Sequence, residues 1–127
     1  MDLMKVSTAI SARELADAAV EALQDKKGLK IVIMDLRKLR GAITDYFVIA
    51  SGTSDKHVQA LSDTVWDQLR VNLQDKPMNI EGRQKGEWIL MDYVNIVVHV
   101  FTEEHRKFYD IESLWGDAEI TKVEQAW

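Results

Sequence analysis

The stretch ITDYFVIASGTSDKHVQAL, residues 43–61, sets an apolar run against a small polar turn and then a helical pattern. Tyr46 to Ala50 can fill both faces of a strand, as a buried strand of an α/β sheet does. Gly52 lets the backbone bend. Thr53, Ser54 or Asp55 can cap a following helix. From about Asp55, the residues Val58, Leu61, Val65, Leu69 and Leu73 recur at helical spacing, and Pro77 lies past the end. Strand, turn and helix in succession point to an α/β fold. Free amides at a helix start attract anions. This turn, however, is neither GxGxxG nor a P-loop ending in Gly-Lys-Ser. Asp45 and Asp55 also bring negative charge to it. The expectation is a structural turn that starts the helix and binds no nucleotide.

Upstream, Ser11 and Glu14 form a capping box. Leu15, Ala19, Ala22 and Leu23 share one face of that first helix, and Lys26, Lys27 and Gly28 supply a basic end and a glycine stop. Residues 30–36 read as a central strand, apolar on both faces as far as Met34. Residues 37–45 connect it to the strand at 46–51. Downstream come a short strand at 79–82, the polar loop GRQKG, two strands at 87–93 and 95–101 that read as a hairpin, and a helix over 102–113. The strand at 46–51, its helix and the strand at 79–82 form a βαβ crossover, expected right-handed. The prediction is one domain, 1–127, built on a mixed five-stranded sheet with helices packed on it. The tail from Gly116 carries no readable pattern.

There is no cysteine, so no disulfide framework, thiolate metal site or cysteine nucleophile. The longest apolar runs fall far short of the roughly 20 residues that span a bilayer. The first residues lack the basic start and long apolar stretch of a signal peptide. The expectation is a soluble cytoplasmic protein with no membrane contact. Net charge is −5, and residues 101–127 hold 7 acidic residues against 3 basic. No basic stripe of the kind that binds nucleic acid is present. Little direct nucleic-acid binding is expected, and the acidic end suits a basic protein surface.

Metal-assisted nucleotidyl transfer needs carboxylates that converge, typically Asp-x-Asp on a strand. No such pair occurs; Asp110–Glu112 ends a helical pattern and Asp117–Glu119 lies in the tail. His57, His99 and His105 match no metal-ligand spacing. His105, between acidic and basic neighbours, reads as part of a solvated helix face. No serine nucleophile, metal or cofactor is indicated. The last third is instead rich in large apolar residues: Trp88, Tyr93, Phe101, Phe108, Tyr109, Leu114 and Trp115. Strand alternation puts Trp88, Leu90 and Asp92 on one face and Ile89, Met91 and Tyr93 on the other. If Ile89 and Met91 face the core, Trp88 and Leu90 emerge. An exposed pair of this kind marks a docking surface, unless the last helix covers it.

In combination, these residues resemble the ribosomal silencing factor, or Iojap-like, family. The resemblance runs from about residue 10 to 115. It rests on Asp35, Ile43 to Ile49, Ser51-Gly52-Thr53-Ser54, His57-Val58, Glu81-Gly82, Trp88 to Asp92, Ile96 to Phe101, and Glu104 to Trp115. It implies a nucleotidyltransferase-like fold without catalytic carboxylates, and so no enzyme. It also implies binding to protein fourteen of the large ribosomal subunit, a block on joining of the small subunit, lowered translation when nutrients are scarce, and a homodimer when free. An assembly role for the large subunit on the same surface is the alternative. The docking role carries onto Trp88, Leu90, Asp92 and His99, and also onto Tyr109, Leu114 and Trp115. The family's hairpin turn has glycine in an Asp-x-Gly-Asp pattern, where this chain reads Asp92-Tyr93-Val94-Asn95. A β-branched residue disfavours positive φ, so Asn95 is expected to take that conformation.

Overall fold

A computed structural model describes residues 10–125. Helix α1, Ala12–Asp25, opens with the capping box: the Ser11 hydroxyl accepts from the Glu14 amide at 3.0 Å, and the Glu14 carboxylate accepts from the Ser11 amide at 2.9 Å. Its end departs from expectation. Lys27, not Gly28, takes the left-handed conformation, at φ 61°. The Gly28 amide then donates to the Leu23 carbonyl and the Lys27 amide to the Gln24 carbonyl, the pairing of a Schellman motif. Gly28 is small for another reason. A Cβ there would sit 3.1 Å from the Leu23 carbonyl and 3.3 Å from Leu61.

The strands β1 (Leu29–Asp35), β2 (Tyr46–Gly52), β3 (Asn79–Glu81), β4 (Trp88–Asp92) and β5 (Ile96–Thr102) form a mixed sheet. A sixth strand, β6 (Glu119–Lys122), lies in the stretch that carried no readable pattern. Its four residues are all exposed, so burial left no hydrophobic alternation to see; pairing with β1 places it. The order is β3-β4-β5-β2-β1-β6. Only β2 and β5 are parallel neighbours; every other pair is antiparallel. Helix α2, Asp55–Leu73, returns the chain from β2 to β3, which runs parallel to β2 at the far edge with β5 and β4 between.

Period-two alternation divides the sheet into two faces. Ile31, Ile33, Val48, Ala50, Ile89, Met91, Val98 and Val100 face α1 and α2, and with the inward stripes of those helices they form the main core. Val58, Leu61, Val65 and Leu69 of α2 are fully buried there. Val32, Met34, Ile49 and Phe101 point to the opposite face, which lacks a long helix. The single helix expected over 102–113 is two short ones on this face. Helix α3 spans Glu103–Tyr109 and α4 spans Ile111–Leu114, parted where Asp110 turns left-handed at φ 44°. Arg106 fixes the pair. Its guanidinium, almost fully buried, donates twice to the Glu112 carboxylate at 3.0 Å, to the Lys30 carbonyl at 2.8 Å and to the Ser51 hydroxyl at 2.9 Å.

Candidate functional site

The face that α3 and α4 leave partly open is aromatic. Cross-strand register aligns Trp88 with Phe101, Leu90 with His99 and Asp92 with Val97. On the other side of β5, Phe47 lies beside Val97 and Ile49 beside His99. Ile89 and Met91 are buried in the main core, and Trp88, Leu90 and Asp92 are half-buried on the open side. Trp88 lies over Phe101, ring centroids 4.9 Å apart at 24°, and Tyr109 from α3 covers it at 4.7 Å. Part of the Trp88 ring is therefore packing, and part is surface.

His99 is only 4 % exposed and makes no surface of its own. Its Nδ1 accepts the Trp88 indole N–H at 3.1 Å, and Phe47 meets its ring edge-on at 4.6 Å. Burial among these apolar rings penalises the charged form and lowers its pKa to about 3. The imidazole is thus neutral, with its proton on Nε2, which has no hydrogen-bond partner among the described residues. His99 sets the position of Trp88 from beneath. Phe47 also meets Trp115 at 6.2 Å, and Trp115 packs on the smaller core beside Ala118. Leu114 is 74 % exposed.

The structure therefore gathers Trp88, Leu90, His99, Tyr109 and Trp115 around one aromatic face, with Leu114 protruding from the adjoining helix. Asp92 faces the same side, but its carboxylate is occupied. Oδ1 accepts from the Val94 amide at 2.8 Å and holds the hairpin turn. In that turn it is Val94, not Asn95, that has positive φ, at 75°. The Asn95 amide donates to the Tyr93 carbonyl at 2.9 Å and closes a three-residue γ-turn with Val94 at its centre. Two members of the face were given no docking role from sequence. Phe47 belongs to it because β2 lies parallel to β5, a pairing that sequence alone does not show. Phe108 protrudes beside Tyr109, their rings at 5.1 Å. His105, read as solvated, is half-buried: Nδ1 bonds the Thr102 hydroxyl at 2.8 Å and Nε2 lies 3.6 Å from Glu87.

Three amides at the SGTS turn and the start of α2 are engaged locally. Thr53 N–H donates to His57 Nδ1 at 2.9 Å, and His57 N–H donates to the Ser54 hydroxyl at 3.1 Å. The Lys56 amide donates to the Asp55 carboxylate at 2.8 Å. His57 Nε2–H donates to the Lys26 carbonyl at 2.9 Å and ties the turn to the end of α1. Among the described residues, no three His, Asp or Glu side chains converge as a metal site requires. No helix among them is long and apolar enough to cross a membrane.

A family model described as ribosomal silencing factor during starvation matches residues 9–126, a span that includes β6. The chain is 36 % identical over 118 residues to a ribosomal silencing factor of Halalkalibacterium halodurans, covering 91 % of this chain and 97 % of that one. It is 36 % identical over 75 residues to mouse mitochondrial assembly of ribosomal large subunit protein 1, covering 57 % of this chain and 32 % of the mouse protein. A solved structure of a Chromobacterium violaceum protein superposes with a TM-score of 0.80 at 35 % identity, covering 92 % of this chain and 97 % of that one. This chain belongs to the ribosomal silencing factor family.

Proposed function

We propose that this protein is a cytoplasmic translational repressor. It binds the large ribosomal subunit through protein fourteen and by its bulk blocks the joining of the small subunit, lowering translation when nutrients are limiting. The observation that carries the reading is the aromatic face of β4 and β5, with Trp88 half-buried and held by His99. A tryptophan that is rigid before it meets a partner loses little entropy on binding. Leu90, Tyr109, Leu114 and Trp115 extend the apolar surface. The exposed carboxylates of Glu104 and Asp110 border it, which suits a partner made basic by its need to hold RNA. A standard interface of roughly 1,200–2,000 Å² is within reach of one face of a domain this size.

On this reading the protein acts by occupying space and is no enzyme. The engaged amides of the SGTS turn support that view, since a phosphate would have to displace His57 and Ser54. When free, the protein self-associates through its exposed apolar face. The test is co-sedimentation with purified large and small subunits. Wild type should pellet with the large subunit and lower its pairing with the small one. Trp88→Ala should weaken docking by roughly 2 kcal/mol. Failure to bind large subunits, or normal joining while bound, would sink the proposal. The mouse relative's name favours a second reading, assembly of the large subunit on the same surface. Undiminished joining with bound protein, together with immature large subunits in its absence, would select it.

A further inference from the structure

β3 ends the sheet on one side. Among the described residues no strand lies beyond it, and Asn79 and Glu81 are exposed. The backbone groups on its outer side have no strand partner, which makes them a template on which another chain can pair. Beside this edge, on the side of α1 and α2, lies a groove of about 510 Å³. Ser62 and Trp66 of α2 line it from one side, Ile80 of β3 from the other, and Met91 of β4, fully buried, lies at its floor. Register puts Ile80 on the same face as Met91, and Asn79 and Glu81 on the other face with Asp92 and Leu90. The groove is therefore across the sheet from the aromatic face.

The walls are fixed before anything enters. Gln59 of α2 donates through Nε2 to the Arg83 carbonyl at 3.0 Å and to the Gln84 carbonyl at 2.9 Å, fastening the 82–86 loop to the helix. Gly86 packs so closely there that a Cβ would sit 2.6 Å from the Asp55 carbonyl. Arg83 then reaches across to the Asp63 carboxylate, with Nε at 3.1 Å and Nη2 at 2.6 Å, and bridges loop and helix at the margin of the groove. A ligand that meets preformed walls loses less free energy to ordering them.

Edge and groove together define the occupant. The hydrogen-bonding partner that matches a free strand edge is an extended main chain, with pockets beside the edge selecting alternate side chains. Side chains on one side of such a strand would meet Trp66, Ile80 and Met91, which suit an apolar group. Those on the other side would lie beside Asn79 and Glu81, which bond each other at 2.7 Å. The charges around the groove pair among themselves: Asp63 with Arg83, and Asp67 with Arg70, whose guanidinium also lies 5.1 Å over the Trp66 ring. A rim neutralised in this way matches uncharged side chains and holds no surplus of cations for RNA phosphates. We infer that β3 and its groove form a second docking surface, which binds by strand addition an extended protein segment of alternating apolar and uncharged polar residues.

The test is an NMR titration of the whole chain with a short capped peptide of alternating leucine and threonine. Its controls are the same peptide N-methylated at every amide, a serine–threonine peptide of equal length, and poly-U RNA. The expected result is that the leucine peptide shifts the Asn79, Ile80 and Glu81 amides and the Trp66 indole N–H, and slows hydrogen exchange along β3. The methylated peptide, which keeps the side chains and loses the main-chain donors, should not. Trp66→Ala should raise the dissociation constant about tenfold. The methylated control leaves the protein unaltered, so the outcome does not hang on how that variant folds. The inference is overturned if the leucine peptide leaves β3 unmoved, or shifts only the residues around Trp88 and Tyr109. Equal binding of the methylated peptide, the serine peptide or the RNA also overturns it. So do shifts along β3 that grow with protein concentration alone, since the occupant is then a second copy. Ribosome binding enters none of these arms, so the outcome is independent of the repressor reading.

Discussion

At the scale of single residues, His99 and Val94 show how one side chain can serve the whole face or turn around it. His99 is buried and neutral, its pKa lowered to about 3 by desolvation. The unfolded chain binds a proton near pH 6.5, and the folded chain resists it. The contribution of this residue to stability is therefore complete above about pH 6.5 and is lost as pH falls toward 3. The slope approaches about 1.4 kcal/mol per pH unit inside that window. Urea unfolding at several pH values should show this component in wild type and not in His99→Leu. The same variant deprives the Trp88 indole N–H of its acceptor, so that resonance should move in the NMR spectrum while the fold persists. Val94→Gly, judged by thermal unfolding, should stabilise the protein by about 1 kcal/mol, because it removes the strain of a β-branched residue at positive φ.

At the scale of elements, α3 and α4 are too short to hold their places by helix propensity. Arg106 holds them through four hydrogen bonds, joining Glu112 on α4 to the Lys30 carbonyl of β1 and the Ser51 hydroxyl of β2. Arg106→Ala leaves Glu112 and the Ser51 hydroxyl without that partner. It should cost roughly 3 kcal/mol, and hydrogen exchange should show α3 and α4 losing protection before the sheet does. Since Tyr109 sits on Trp88, loosening α3 also loosens the aromatic face. Arg106→Lys should recover only part of the loss, because an ammonium lacks the planar fork that spans both Glu112 oxygens.

At the scale of the molecule, the sheet separates two duties. One face is buried under α1 and α2 and supplies most of the stability. The other, under two short helices, leaves aromatic surface partly exposed. Acidic residues are concentrated in the last third of the chain, where α3, α4 and β6 lie. If this field steers the protein to a basic partner, raising salt should lower the association rate with large subunits steeply and change dissociation little. Stopped-flow binding at several ionic strengths measures both rates. A salt-independent association rate would remove steering from the account.

The helices and most strands were legible in the sequence because local chemistry dictates them. The Ser11–Glu14 box, the α2 stripe from Val58 to Leu69 and the alternation from Trp88 to Asp92 each state their structure within a few residues. The two faces of β4 followed from period two alone. What sequence withheld depends on partners distant along the chain. β6 has no buried side chain and is a strand only because β1 is there to pair with it. Phe47 joins the aromatic face only through the parallel register of β2 with β5. His99, a strand histidine suited to a core or an interface, was given a docking role only by the family resemblance, and the tertiary fold buried it under Phe47 and Trp88. Val94, which steric preference alone would have kept out of positive φ, was placed there by Asp92, Thr44 and the strands that the turn must join. Short-range preference chose the elements of this protein; long-range pairing and burial decided which side chains stay exposed on the aromatic face and which hold them in place.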